Sequence, residues 1–427
     1  MHFYYTYYPK VREIEIPDAN LIGVYGPLET AHPDREKILR DAFESPVNSP
    51  RLEELATPED RVLIVLDDGL EPTPTVFPFY HVVQALHAAG VPDANVSVLI
   101  ANGGHRASTG AEVDRKIGAE MHRRFAVYQS ALNARDDSWH TFGTARTEGG
   151  VTSVIADRRL RDASLIVGIG GTYPSRFKGF TGGGSLVFPG LANESTRGEI
   201  CLESAEQPSI DVLGHADNPG RKLVRSLLQF IPAFKFCVDV VVDRTLTTVA
   251  CIAGSPQSVY RVSADVAARM TNFTIPEKAD IVVIDPHPFD TNIFQAANAL
   301  YASLGVLKEG GEIICVAPLN EAISALSGEL AKQCTKTREG LIASSRSGDL
   351  SHQPQTGARL AAIREVIDVA SRITFVTNGA GTDDPAKFGF ACTNDAQAAL
   401  NDALARKGAS ARVALISHGG LAVPRVA

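Results

Sequence analysis

Residues 62–75 read VLIVLDDGLEPTPT, five β-favouring apolar residues followed by two acids, a glycine and a segment stiffened by Pro72 and Pro74. An unbroken apolar run that stops at Asp-Gly is the mark of a strand covered on both faces, as in a parallel sheet. The same grammar recurs at Val96–Ala101, closed by Asn102-Gly103-Gly104-His105, and at Leu165–Ile169, closed by Gly170-Gly171-Thr172. A second set appears at Ile281–Ile284, Ile313–Ala317, Ile373–Val376 and Val413–Ile416, interleaved with helical patterns at Gly357–Ser371 and Asp395–Lys407. Between the sets, Phe236–Val242 and Thr247–Ala253 read as strands joined by Asp243-Arg244, and Pro256–Thr271 reads as a helix. The pattern predicts an α/β protein with two doubly wound, parallel-type sheets.

At 427 residues the chain exceeds one ordinary hydrophobic core, which also favours two domains. The expected division is 1–272, carrying cofactor binding and catalysis, and 273–427, with a hinge near Asn272–Lys278. Residues Gly419–Ala427 lack a helical period, and the tail 411–427 is expected to run back over the first domain. Hydrophobic residues make up 44% and charged residues 21%, which excludes disordered, collagen-like and coiled-coil classes. A formal charge of −8 gives no electrostatic reason to bind nucleic acid or an anionic membrane. No apolar run approaches the roughly 18 residues of a membrane span, and MHFYYTYYPK lacks a signal-peptide core, so the cytoplasm is the expected location. The six cysteines, at 201, 237, 251, 315, 334 and 392, form no CxxC pair, so neither a disulfide framework nor a zinc knuckle is indicated.

Ligands of open α/β sheets bind outside the carboxyl ends of the strands, which directs attention to the loops there. The first holds Asp67 and Asp68; one of two adjacent acids is as readily a cap or turn former as a catalyst. The second sets His105 directly after paired glycines that let the backbone approach a ligand, which favours catalysis over a structural role. The third runs from Gly168 through Ser175, Arg176 and Lys178 to Gly182-Gly183-Gly184-Ser185. Exposed backbone N–H groups and cations in such a loop suit a phosphate, although three glycines are also simply a flexible turn. A G-x-G-x-x-G fingerprint would need glycine at Tyr173, which disfavours a dinucleotide site.

At these loops the sequence resembles the nickel-dependent lactate racemases, a family that interconverts epimers of 2-hydroxy acids. The resemblance rests on Asp68-Gly69-Leu70-Glu71-Pro72-Thr73-Pro74, on Asn102-Gly103-Gly104-His105-Arg106, on the segment Pro174–Gly190, and on Asp290-Thr291-Asn292-Ile293-Phe294-Gln295. It implies two α/β domains flanking the site, and as cofactor a nickel-pincer nucleotide, a pyridinium mononucleotide whose two thiocarboxylates hold nickel. It implies proton abstraction from the substrate hydroxyl coupled to hydride transfer from C2. His105 matches one of two family histidine bases, Asp68 a nearby acid that would orient its ring, and Gln295 a family pocket residue.

The departures define what is particular to this chain. Ser175 stands where the second histidine is expected, and Ser185 where a lysine tethers the cofactor, so the cofactor is expected to bind without a covalent link. The histidine completing nickel's coordination falls on Cys201, whose thiolate is a soft ligand, with Glu199 as a weaker choice. Glu71 replaces an arginine, Asn298 a lysine and His352 an aromatic residue. Arg176 and Lys178 are candidates for a second substrate carboxylate, which points to malate, or alternatively for the cofactor phosphate. His352 is a candidate to replace the missing base or to bind the same group. Partners expected are a small 2-hydroxy acid and, transiently, cofactor-synthesis proteins. Two other readings are a catalytically inactive cofactor-binding homologue and an NAD-dependent hydroxy-acid dehydrogenase.

Overall fold

The computed structural model describes residues 1–4, 13–31, 33–130, 136–147 and 149–427. Its centre is a pair of six-stranded sheets. The first is ordered Thr248–Gly254, Phe234–Val242, Leu165–Gly171, Val62–Asp67, Val96–Ala101, Ala126–Ser130. All its neighbours run parallel except the Thr248–Gly254 edge, which returns antiparallel along Phe234–Val242. Val62–Asp67 is buried at every position because helices cover both faces, which is why its sequence shows no alternation. The chain leaves this strand towards Val96–Ala101 on one side and later returns at Leu165–Gly171 on the other. The order therefore reverses beside Asp67 and Gly171, and a crevice opens there.

The second sheet is ordered Ala391–Thr393, Arg372–Val376, Leu307–Val316, Ala279–Ile284, Val413–Ile416, Leu21–Tyr25, all parallel. Its last strand comes from the start of the chain, so the two sheets do not divide at residue 272 alone. Asn272–Ile275 pairs in parallel with Val423–Val426, and the Arg425 guanidinium donates to the carbonyls of Ile210 and Leu213 at 2.7 and 3.0 Å. The helix expected at Gly357–Ser371 begins three residues earlier, at Pro354, since proline at the first helical position needs no N–H partner. Pro256–Thr271 is helical as read, again with proline leading. An antiparallel hairpin, Trp139–Thr147 with Gly150–Asp157, had no clear sequence signal.

Candidate active site

Strand ends of the first sheet bring Asp68 and His105 together. Asp68 is buried; its Oδ1 accepts from the Leu70 amide at 2.8 Å and its Oδ2 lies 2.9 Å from His105 Nδ1. The carboxylate thus selects the tautomer with a proton on Nδ1 and leaves the Nε2 lone pair facing the crevice. There Gln295 Nε2 donates to His105 Nε2 at 3.3 Å, from the opposite side of the cleft. Gln295 is placed by the helix Ile293–Ser303, whose first turn is capped by the Asn292 side chain accepting from the amides of Phe294 and Gln295. Burial draws the imidazole's pKa down, but Asp68, aided by Glu71, outweighs it and leaves His105 above its ordinary value.

Asp67, one residue away, has a different fate. It is ion-paired to buried Lys116 at 2.7 Å, accepts from the Gly171 amide at 3.1 Å, and takes the Thr73 hydroxyl as a further donor. Burial pushes its carboxyl up against the pull of Lys116. Asp67 ties together two loops that frame the crevice.

The crevice comprises two cavities open to solvent, of about 120 and 130 Å³. They share Glu71, His105, Lys178, Thr181, Gln355 and Arg359 among their walls and so form one continuous cleft. The first is floored by Asn102, Gly103, Gly104, Gly171, Gly182, Ser185 and Gly190. The second contains Ser175, Cys201, Gln295, Asn298 and Tyr301. Arg106, beside His105, donates to Glu112 at 2.8 Å on its own side and to Glu321 at 2.9 and 3.0 Å on the second sheet's side. This bidentate pair fastens the two walls beside His105.

Most sequence-predicted site residues line this cleft; Arg176, His352, the glycine loop and Glu199 have other commitments or positions. Arg176 is buried, with Nη1 donating to Ser204 O at 3.0 Å and Nη2 to Gln207 O at 2.7 Å, and Glu365 stands 3.4 Å away. Both terminal nitrogens are thus committed to the protein, and only Nε, buried without a hydrogen-bond partner at the wall of the second cavity, keeps a free donor. His352 is exposed and lines neither cavity, so it does not take the place of a base. The glycine loop is also satisfied from within. The Gly183 amide donates to both Asp239 oxygens at 2.9 Å, the Ser185 amide to Gly182 O at 3.1 Å, and Arg221 to Gly182 O at 3.0 Å. Those amides are not turned to a phosphate. Glycine is required at 182 and 183 because φ is +89° and +51°, and a Cβ at 182 would lie 2.4 Å from the Thr172 hydroxyl. Gly184 is packed against Leu228, where a Cβ would approach to 2.3 Å. Glu199 pairs with Arg346 at 3.5 Å and is otherwise engaged by Thr147.

Other charged groups remain open to the cleft. Among the described residues no hydrogen bond or ion pair engages Lys178 Nζ, the Arg359 guanidinium or the Glu71 carboxyl, and all three line both cavities. Burial lowers the Lys178 pKa, with Arg221 and Arg359 acting in the same sense. Burial raises Glu71 to about 7, and Asp68 and Asp67 add to it. Burial also holds the Cys201 thiol above its usual range, against Arg359 and Lys178. Ser185 Oγ is buried at the cleft wall without a hydrogen-bond partner. Arg359 and Gln355 were not found from sequence, because both lie inside the helix Pro354–Val369, where nothing local distinguishes a cleft-facing arginine from a solvated one.

Residues 7–199 match the family model described as the lactate racemase N-terminal domain. Lactate racemase from Thermoanaerobacterium thermosaccharolyticum is 25% identical over 312 residues, spanning 71% of this chain and 71% of its own length. Lactate racemase from Lactiplantibacillus plantarum is 25% identical over 289 residues, spanning 66% of each. Among solved structures, the lactate racemase apoprotein of T. thermosaccharolyticum superposes with a TM-score of 0.84 at 22% identity over 100% of both chains. A structural-genomics protein from Thermotoga maritima superposes with a TM-score of 0.70 at 16% identity, covering 92% of this chain and 98% of its own. The fold is shared at full length even where identity is low.

Proposed function

We propose, from the premise that this chain is a divergent member of the lactate racemase family, that it interconverts the epimers of a 2-hydroxy acid, with malate as preferred substrate. The observation that carries the reading is the His105 imidazole, fixed by Asp68 at 2.9 Å and facing Gln295 across a cleft where Lys178 and Arg359 have no hydrogen bond or ion pair among the described residues.

The nickel-pincer nucleotide fits the residues present. The orphaned Ser185 hydroxyl supplies a hydrogen-bonding group at the wall, and the Cys201 thiol a soft donor. Ser185 has no amine with which to form an amide-type link, which supports a non-covalently held cofactor. When bound, that group would accept the C2 hydride and return it to either face of a planar 2-keto acid.

The chain's own residues handle the rest. His105 Nε2 takes the hydroxyl proton while Asp68 stabilises the imidazolium through Nδ1. The Gln295 amide that donates to Nε2 yields this position to the substrate hydroxyl, and Asn298 offers an amide to the substrate from the same helix. Lys178 and Arg359 supply positive charge for two anionic groups, the substrate C1 carboxylate and either a second carboxylate or the cofactor phosphate. Malate satisfies both cations from one substrate, which supports its choice. A cytoplasmic location and transient contact with cofactor-synthesis proteins follow from this reading. No helix among the described residues is long and apolar enough to cross a membrane.

Protein purified from a host that makes the cofactor should carry about one nickel per chain and lose a pyridinium nucleotide on denaturation. Chiral chromatography on a panel of 2-hydroxy acids should show malate racemised fastest. Fully loaded protein that turns over no acid on the panel, or that instead reduces NAD, would defeat the proposal.

A further inference from the structure

Half-buried Glu71 stands apart from the buried acids around it. Asp67 has Lys116, Asp68 has His105 and the Leu70 amide, and Asp239 has the Gly183 amide and two hydroxyls. The Glu71 carboxyl has no hydrogen-bond partner among the described residues, yet it projects into the seam between the two cavities. Leaving such a group without a donor costs free energy unless a ligand or a proton supplies what is missing. Its nearest carboxyl oxygen, one His105 ring nitrogen and one Asp68 oxygen all lie within 4.8 Å of one another. The charged and titratable groups that face it are Asp68, His105, Asp67 and Lys116, with Lys178, Arg359 and Tyr173 across the cleft.

Stereochemistry asks for a group in this position. When one anchor holds the carboxylate and C2–H points at one hydride acceptor, two substituents of C2 are fixed in space. The enantiomers then differ by exchanging the other two, so the hydroxyl of one lies where the side chain of the other lay. The two hydroxyl positions are separated by one edge of a tetrahedron, less than the 4.8 Å span of the Asp68, Glu71 and His105 atoms. One imidazole nitrogen cannot lie along both O–H directions. Ser175, which lines the second cavity, has no proton-accepting group active near neutral pH.

Resting on the racemase reading, we propose that Glu71 is the second proton-transferring residue, serving the enantiomer whose hydroxyl points away from His105. In that half-reaction the hydroxyl proton passes to a Glu71 oxygen, and the O–H electron pair becomes the C=O π bond. The C2–H pair would leave as hydride to the acceptor that the bound cofactor supplies. Return of hydride to the other face, with a proton returned by His105, completes inversion. A carboxyl lifted by burial towards neutrality is matched to this exchange.

Glu71→Gln keeps size and polarity while removing the proton acceptor. Single-turnover reactions started from each enantiomer separately, with the 2-keto acid quantified, provide the test. Keto acid from one enantiomer should form within about threefold of the wild-type rate, and from the other at least about 100-fold more slowly. His105→Asn should show the opposite preference. Steady-state kcat/KM should fall equally in both directions for each variant, because the equilibrium constant between enantiomers is one. In apo protein, the His105 titration followed by nitrogen NMR should move to lower pH in Glu71→Gln, since Glu71 is one of the charges that raise it. Equal loss from both enantiomers, or no loss, would overturn the Glu71 assignment while leaving the racemase reading intact. Apo protein binding Mn²⁺ through Glu71, read by electron paramagnetic resonance and lost in Glu71→Gln, would overturn it too. Wild-type enzyme racemising no 2-hydroxy acid would instead remove the reading on which the assignment rests.

Discussion

The acidic loop at 67–71 and the glycine loop at 171–185 leave adjacent strands of one sheet and face one crevice, yet they contribute in opposite ways. The glycine loop has the composition of a phosphate cradle, but the donors of Gly183 and Ser185 are absorbed by Asp239 and by Gly182 O, and Arg221 holds its carbonyls. The acidic loop has the composition of a turn, but it delivers Asp68 to a histidine and leaves Glu71 unsatisfied in the cleft. Whether a polar group is available to a ligand depends on what else satisfies it, and that is settled by partners distant in sequence.

The largest expected effect tests the acidic side of this contrast. His105→Asn should lower kcat by about 10²–10⁴-fold with little change in thermal stability, measured by chiral chromatography and calorimetry. Adjacent aspartates should then separate. Asp67→Ala should cost about 3–5 kcal/mol of unfolding free energy because it strands buried Lys116, read from denaturant titration. Asp68→Asn should spare most of that stability and act on pH dependence instead. Asp68 is what raises His105, and the base must be unprotonated to work. The acidic limb of the kcat/KM profile should therefore shift to lower pH in the variant, and an unmoved limb would contradict the pairing.

Smaller effects sharpen the comparison across the cleft. Arg359→Met should raise KM for malate by about tenfold, the loss expected for one charge-assisted hydrogen bond, with a smaller change in kcat. Arg106→Ala should raise KM only a few-fold, because its pairs with Glu112 and Glu321 are partly exposed.

The strands and the positions of Asp68 and His105 were legible from sequence for a physical reason. A parallel strand buried on both faces leaves an unbroken apolar run, and a strand-end loop follows it at once, so Asp68 and His105 are marked by position alone. Gln295 was marked only as the end of the segment Asp290–Gln295 that carries the family resemblance. The short edge strand Leu21–Tyr25 was not legible, because it is only half buried and interrupted by Gly23. The commitment of Arg176 to Ser204 and Gln207 carbonyls, and of Gly183 to Asp239, depends on packing between elements that no local pattern records. Arg359 was invisible for the same reason, lying 254 positions from His105 along the chain.

The central claim is that the imidazole held by Asp68 works beside a hydride acceptor. It is tested most directly by giving cofactor-loaded enzyme one enantiomer of malate in heavy water and measuring isotope content at C2 of the product by mass spectrometry. Inverted malate that keeps its original C2 hydrogen, with inversion abolished in His105→Asn, is the predicted result. Deuterium incorporated at C2 in step with inversion would show carbanion chemistry and contradict the account.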